Sequence, residues 1–216
     1  MKVHLMNDFG INPESKNAFV DGILQIIEYS NREFELKDLG LWRTEDWKKQ
    51  LFLSPFNSVD WYLEQTVDKT RNQIDAQKLL ALFYCEPWQD QTKHIDLFIT
   101  NKDLYVPGTN YVLGLAIPGI GAVISSKRFS NLYTSLSNEC IKTVTMHEFG
   151  HVLGLVPEYR LLSVEDSLGK HCTNRCLMRQ GLTVNDWVLM TQERLNGVVL
   201  CELCRNDLMA LSYYNS

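Results

Sequence analysis

The sequence predicts a single α+β domain spanning residues 1–216, because from His94 onward its strand patterns come first and a long helical pattern follows them. His94–Thr100 alternates as a strand does, and Val112–Ala116 and Gly121–Ser125 are predicted to be two further strands, separated by a turn at Pro118. A long helical pattern follows these strands, and a loop-rich tail follows the helix. Strands that precede a long helix packed on them favour an α+β architecture.

The earlier part of the chain is predicted to hold two more strands and two more helices. Apolar Phe19, Ile23 and Ile26 recur at helical spacing, and Pro13 suits the first turn of that helix. The stretch 41–69 has no clear period, and we expect turns and short helices there that wrap the core. In chain order the elements are a strand at Lys2–Met6, a helix at Pro13–Tyr29, a strand at Glu33–Leu39 and a helix at Gln73–Tyr84.

The long helix after the strands is predicted to run from a cap at Ser137 to Leu153. A serine side chain can accept a hydrogen bond from a free backbone N–H at the start of a helix. Glu139 lies in the first turn, where its negative charge complements the helix dipole. Gly154 follows the last helical residue and is a natural stop.

Composition and charge exclude several classes of protein. The chain is 45% hydrophobic and 22% charged, as ordinary soluble proteins are, and its net charge of −5 gives no reason to bind nucleic acid or an anionic membrane. The segment Met1–Asp8 lacks the apolar core of a signal peptide. The longest apolar run, Val112–Ile124, contains Pro118 and is too short to cross a bilayer. We therefore expect a cytoplasmic protein with no nucleic-acid or membrane partner.

The strongest functional signal is one run, His147-Glu148-Phe149-Gly150-His151-Val152-Leu153-Gly154. Residues four apart lie on one face of a helix, so His147 and His151 can bind one zinc ion. Glu148 lies beside that metal and can take a proton from water whose pKa zinc lowers to about 7. The run therefore predicts a zinc-dependent hydrolase with Glu148 as its general base.

A catalytic zinc site usually has three protein ligands, and this motif supplies two. In the extended pattern His-Glu-x-x-His-x-x-Gly the third histidine falls three residues after the glycine, but this chain has Pro157 there. His171 is the only histidine further along the chain. We expect residues 155–170 to be an inserted loop and His171 to complete the site, with Glu158 and Asp166 as the alternative ligands.

Four of the six cysteines form two close pairs, Cys172 with Cys176 and Cys201 with Cys204. Two such pairs are typical of a closed, structural zinc site with four thiolate ligands. Such a site would also hold His171 in place, because His171 adjoins Cys172. The alternative is a redox-active dithiol at Cys201 and Cys204. The other two cysteines are expected to be buried: Cys85 and Cys140.

Together these residues resemble the archaemetzincin family of metallopeptidases. In that family the extended zinc motif is followed by His-Cys, a second cysteine, x-Met and a distant Cys-x-x-Cys, which this chain supplies as His171, Cys172, Cys176, Met178, Cys201 and Cys204. The similarity extends upstream and covers about residues 72–205. The chain departs from the family pattern in the insertion 155–170 and in a first cysteine pair that is one residue closer.

The resemblance implies a compact metzincin-like zincin fold, in which a twisted mixed sheet packs on the active-site helix and zinc staples a C-terminal helical segment. It also implies two zinc ions, one catalytic and one structural, with Met178 in a turn beneath the first. The implied activity is hydrolysis of peptide bonds in a peptide or protein substrate, with short peptides or N-termini as the expected targets. We expect the chain to be a monomer. A rival hypothesis is a zinc-stabilised peptide- or protein-binding protein with a covered, poorly active site.

A bound peptide could lie along an exposed edge strand above the active-site helix. The two candidate edges in the sequence are Val112–Leu115 and Gly121–Ser125.

Overall fold

A computed structural model describes residues 2–30, 33–46, 58–86 and 93–213, and it confirms the predicted α+β class. The strands are β1 (Lys2–Asn7), β2 (Glu35–Gly40), β3 (Val67–Asp68), β4 (Gln73–Asp75), β5 (His94–Thr100), β6 (Leu104–Tyr105), β7 (Gly114–Ile117), β8 (Gly121–Ser125), β9 (Val164–Asp166) and β10 (Lys170–Cys172). The helices are α1 (Pro13–Ser30), α2 (Val59–Thr66), α3 (Ala76–Tyr84), α4 (Thr134–Val152), α5 (Val184–Leu195) and α6 (Glu202–Tyr213), with a 3₁₀ turn at Lys127–Phe129.

The main sheet is mixed and has the strand order β2-β1-β5-β8-β7. Strands β2, β1, β5 and β8 are parallel, and β7 runs antiparallel to β8. The register between β1 and β5 places Lys2 opposite His94 and His4 opposite Asp96. Strands β3, β4 and β6 form a smaller sheet beside it.

Helices cover both faces of the main sheet. On one face α1 and α4 pack against each other and against the sheet, where Phe19 and Val144 join a core with Leu97. On the other face α2 and α3 form a second core, in which Tyr62 and Phe83 are buried. A polar side chain on a strand of the main sheet therefore faces one core or the other, according to the face from which it projects.

Helix α4 begins one turn earlier than the sequence predicts. Ser137 lies inside the helix rather than at its cap, since its backbone N–H already donates to the carbonyl of Tyr133 at 2.8 Å. The predicted end is confirmed: Leu153 caps the helix, and Gly154 adopts a φ of 87°, which is costly for other residues.

Two predictions near α3 are wrong. Gln73–Asp75 is strand β4, and the helix starts at Ala76 because the Asp75 side chain accepts a hydrogen bond from the N–H of Lys78 as its cap. Cys85 is exposed, since it caps the solvent-facing end of that helix, whereas Cys140 is buried as expected. Of the stretch 41–69, the structure describes α2 and its flanks, and residues 47–57 lie outside the described residues.

Only one of the two candidate edge strands is at an edge of the main sheet. Gly121–Ser125 is β8, which pairs with β5 on one side and with β7 on the other. The other candidate forms β7 at Gly114–Ile117, two residues later than predicted, and it is the terminal strand of the main sheet in the described part of the chain.

The insertion 155–170 contains a short antiparallel hairpin. Strand β9 pairs with β10, with His171 opposite Glu165 and Cys172 opposite Val164. After the hairpin, α5 begins with a capping box between Thr183 and Asp186. None of the helices in the described ranges is long and apolar enough to cross a membrane.

Candidate metallopeptidase active site and cysteine cluster

Helix α4 brings the first two histidines together on its buried side. His147 and His151 are one helical turn apart, and their Nε2 atoms are separated by 3.2 Å. His147 is buried and His151 is partly accessible. The motif therefore presents two imidazole nitrogens to the same point.

Strand β10 adds the third histidine to this group. The His171 ring centroid lies 5.2 Å from that of His147 and 4.9 Å from that of His151, and the ligand atoms of all three lie within 4.8 Å of one another. The alternative ligands are elsewhere: the Glu158 side chain is 88% exposed, Asp166 is exposed, and neither belongs to this group.

Backbone carbonyls orient the two buried rings. The carbonyl of Leu177 lies 2.8 Å from His147 Nδ1, and that of Gly169 lies 2.9 Å from His171 Nδ1. Because a carbonyl can only accept, both Nδ1 atoms must carry the proton and donate it. Each ring is thereby left with an unprotonated Nε2, which is the form that binds a metal.

Burial keeps the three rings uncharged. It lowers the pKa of His151 to about 3, with a contribution from neighbouring His171, and it lowers the pKa of His147 well below its ordinary value. The pKa of His171 is lowered by the same cause. Neutral imidazoles are what a zinc ion requires, so the donor set fits zinc without having to release protons.

Glu148 lies against the edge strand of the sheet. It is buried, and burial raises the pKa of its carboxyl group to about 8. A Cβ atom on Gly114 of β7 would lie 2.5–2.7 Å from the side chain of Glu148, so any larger residue there would force that side chain to shift. This contact places the carboxyl group of Glu148 directly beside the edge strand β7.

Met178 packs beneath the histidine-bearing turn of α4. It is fully buried, and its sulfur would be 2.7 Å from a Cβ on Gly150, which lies between the two helical histidines. The backbone carbonyl of Met178 accepts a hydrogen bond from the N–H of Cys172 at 2.8 Å. Gly150 was not singled out by the sequence analysis, although a glycine inside a helix is costly and indicates a close contact.

The four predicted cysteines also come together. Cys172, Cys176, Cys201 and Cys204 have sulfur atoms within 4.8 Å of one another, and three of the four residues are buried. The backbone N–H of Cys201 donates to the sulfur of Cys176 at 3.3 Å. Four sulfurs around one point fit a tetrahedral ion and do not fit a single surface dithiol.

Arg160 is a member of this cluster that the sequence did not reveal. Its guanidinium donates to the sulfur of Cys204 at 3.2 Å, to that of Cys172 at 3.3 Å and to Asp207 at 2.8 Å. Hydrogen bonds from Cys176 and Cys204 hold the pKa of Cys172 far below its usual range, which favours the thiolate. Arg160, which lies inside the insertion, places a buried positive charge beside the sulfurs of Cys172 and Cys204.

The hairpin explains how neighbouring residues reach two sites. Successive side chains of a strand point to opposite faces, so His171 and Cys172 of β10 are directed to different clusters. The two clusters are therefore linked covalently through one peptide bond.

Comparison with known proteins assigns a family to this arrangement. The model of the family described as Peptidase family M54 matches residues 60–208, which include all the residues of both clusters. The archaemetzincin of Archaeoglobus fulgidus is 37% identical over 93 residues, covering 43% of this chain and 49% of that protein. The archaemetzincin of Nanoarchaeum equitans is 31% identical over 144 residues, covering 67% of each. The aligned part of the chain thus spans about half of the first relative and two thirds of the second.

A solved structure shares the fold over nearly the whole chain. The crystal structure of the archaemetzincin from Methanopyrus kandleri superposes with a TM-score of 0.69 at 23% identity, covering 99% of this chain and 96% of that one. The likeness extends beyond the matched family region to the first strands and helix, and at this identity it concerns the fold.

Proposed function

This chain belongs to peptidase family M54, a family of zinc metallopeptidases, and we propose that it hydrolyses peptide bonds at the cluster of His147, His151 and His171. The proposal rests on the convergence of three neutral imidazoles and on the buried Glu148, which follows His147 in α4. His171 is the proposed third ligand because it meets the helical histidines, while Glu158 and Asp166 face solvent.

Zinc bound by these histidines would supply a Lewis acid that lowers the pKa of water to about 7 and polarises a carbonyl group. The chain itself contributes a proton carrier. The carboxylate of Glu148 accepts a proton from the attacking water and passes it to the leaving amine. Burial favours the protonated form of Glu148 and a nearby cation favours the carboxylate, so the group is poised between the two forms that the reaction uses.

We place the substrate peptide along β7. This strand is at the edge of the main sheet, and Gly114 in it contacts the side chain of Glu148. A peptide that pairs with the free side of β7 would be held by backbone hydrogen bonds, with its carbonyl groups close to the proton carrier. Recognition of this kind depends little on substrate side chains.

A second, structural zinc is proposed at Cys172, Cys176, Cys201 and Cys204. Four sulfurs leave no open position for a substrate, and the adjacent guanidinium of Arg160 offsets their negative charge. This arrangement supports a structural ion over a redox dithiol. Met178 forms the floor of the histidine site on our proposal, since it packs against Gly150 between two of the ligands.

The remaining expectations follow from composition. We propose that the protein works as a cytoplasmic monomer on peptides and does not bind nucleic acid, in keeping with its net charge of −5 and with cysteines grouped for metal binding. A pure binding protein is less consistent with the structure, because binding a peptide would not need Glu148 beside the histidines.

The test is digestion of a diverse peptide mixture by the zinc-loaded protein, read by mass spectrometry. Glu148→Gln, which keeps the shape of the side chain and removes its basicity, is the matched control. We expect the rate of peptide cleavage to be roughly 10²–10⁴-fold lower in the variant than in the wild type at equal zinc content. Equal cleavage by both proteins, or none by the wild type at full zinc occupancy, would contradict the proposal.

A further inference from the structure

A third group of side chains that could bind a metal ion lies on the opposite face of the main sheet from α4. His4 projects from β1, and His94 and Asp96 project from β5. Their neighbours on the same strand faces, Met6 and Phe98, belong to the core beneath α2 and α3. The group is therefore separated from the peptidase site by the sheet, and no residue of the proposed mechanism takes part in it.

Two histidine nitrogens converge on one carboxylate oxygen without a hydrogen bond to it. His94 Nε2 lies 3.6 Å from Asp96 Oδ1, and His4 Nδ1 lies 3.9 Å from the same oxygen. These separations are too long for hydrogen bonds. Both His4 Nδ1 and Asp96 Oδ1 are buried and have no hydrogen-bond partner among the described residues. A buried polar atom without a partner costs free energy, so this pair needs a ligand to account for it.

The spacing suits a transition-metal ion. A tetrahedral zinc ion, with ligands at about 2.0–2.1 Å, separates neighbouring ligand atoms by roughly 3.3–3.4 Å. The ligand atoms of His4, His94 and Asp96 all lie within 4.8 Å of one another, and the two measured separations from Oδ1 exceed that spacing by a few tenths of an ångström. Small rotations of the two stacked rings, whose centroids are 4.4 Å apart, would close the gap.

Arg43 orients the carboxylate for such an ion. Its guanidinium donates to Asp96 Oδ2 at 3.2 Å and to the sulfur of Met6 at 3.0 Å, and its side chain is fully buried. This leaves the other oxygen turned toward the two histidines. Carboxylates that bind metals are commonly held in this way by a second hydrogen-bonding group. An ion pair between Arg43 and Asp96 alone would not account for the missing hydrogen-bond partners of His4 Nδ1 and Asp96 Oδ1.

We propose that His4, His94 and Asp96 bind a third divalent ion of the zinc type, which fastens β1 to β5. Two imidazoles and one carboxylate are a donor set that zinc accepts. The role is structural, because the ligands come from two adjacent parallel strands in register and the ion would join them beneath the second core. The proposal does not depend on the peptidase activity.

The first test counts zinc per folded chain, by mass spectrometry of the metal, after equilibration at one buffered free-zinc concentration. His94→Gln and Asp96→Asn should each bind one zinc fewer than the wild type, while the control Lys2→Gln, at the exposed position opposite His94 on β1, should bind as many. Equal zinc in the wild type and both variants would overturn the proposal. The test compares zinc per chain in the variants with zinc per chain in the wild type. The expected difference of one zinc is therefore the same whether or not the other two sites are occupied.

The second test uses the wild type and one milder variant. Titration with zinc should shift the ring nitrogen signals of His4 and His94 in NMR spectra, and signals that stay unchanged at saturating zinc would overturn the proposal. If His94→Gln does not fold, zinc is counted in His4→Gln instead. The side chain of His4 is 14% exposed, so its substitution should disturb the fold less. Peptide cleavage by His4→Gln should stay at the wild-type level, which separates this site from the proposed active site.

Discussion

The histidine cluster and the cysteine cluster are neighbours in the chain, yet we propose opposite roles for them. The histidine cluster is partly accessible at His151 and has Glu148 and an edge strand beside it. The cysteine cluster is closed by four sulfurs and by the guanidinium of Arg160, which also pairs with Asp207. The comparison teaches that access and a proton carrier, more than the presence of a metal site, distinguish a reactive centre from a structural one.

The link between the clusters is the hairpin of the insertion. His171 and Cys172 are adjacent in β10, so the cysteine cluster fixes the position from which His171 reaches α4. This chain has Pro157 where the extended motif has its histidine. The third histidine thus lies further along the chain than in the motif, and the hairpin brings it next to His147 and His151.

The largest effect is expected from breaking the closed site. Cys204→Ser should release the structural zinc and lower the unfolding temperature by at least about 10 °C, because structural zinc contributes roughly 10–16 kcal/mol in small zinc domains. Thermal unfolding and zinc content measure both results. Cys85→Ser, at an exposed cysteine outside the cluster, is the control. Unchanged stability of Cys204→Ser would contradict the structural role proposed for the cysteine cluster.

The next effect concerns the open site. His171→Ala should lose the catalytic zinc and reduce peptide cleavage by about three orders of magnitude, since the Lewis acid is worth several kcal/mol. The fold should persist, as circular dichroism would show. Glu158→Gln and Asp166→Asn are the controls, and both should cleave as the wild type does. Full zinc occupancy in His171→Ala would rule out this ligand.

A smaller effect is expected when the charge balance of the cysteine cluster is changed. Arg160→Gln removes the guanidinium that contacts Cys172 and Cys204, and zinc affinity at that cluster should fall about 10–100-fold. Competition with a zinc chelator measures the change. Arg175→Gln, where the side chain is 65% exposed, should leave the affinity as it is. An affinity equal to the wild type would mean that Arg160 only packs there.

The smallest effect tests the contact between the edge strand and Glu148. Gly114→Ala puts a methyl group where the Glu148 side chain lies, so we expect cleavage to fall about tenfold at unchanged zinc content, a change of about 1.4 kcal/mol in the barrier. Steady-state rates on a single peptide provide the measurement. Ala116→Ser in the same strand should have little effect. A Gly114→Ala enzyme with normal rates would show that β7 does not constrain Glu148.

What the sequence could predict depends on the distance between the partners along the chain. His147 and His151 share a helical turn, and the long helix and its glycine stop are local patterns, so these features were predictable. The guanidinium of Arg160 meets Cys204 across 44 residues, and no local pattern encodes that contact. The predicted grouping of His171 with the other histidines agrees with the structure, and its role as a ligand stays a prediction.

The misplaced elements have the same physical basis. Gln73–Asp75 carries a helical apolar pattern, yet it pairs with β3 and β6 and becomes a strand, because tertiary pairing overrides local propensity. Whether β7 or β8 lies at the edge of the main sheet depends on the strand order, which cannot be predicted from local sequence patterns. The meeting of His4 with Asp96 likewise follows from parallel pairing between strands about ninety residues apart.

The most direct test of the contrast between the two clusters follows activity and stability in the same series of buffered free-zinc concentrations. We predict two separate transitions: peptide cleavage disappears first as free zinc falls, and the unfolding temperature collapses only at much lower zinc, where the four-sulfur site empties. A folded, inactive protein would be present between them. Loss of stability before activity, or both at one zinc concentration, would contradict the assignment of an open catalytic site and a closed structural one.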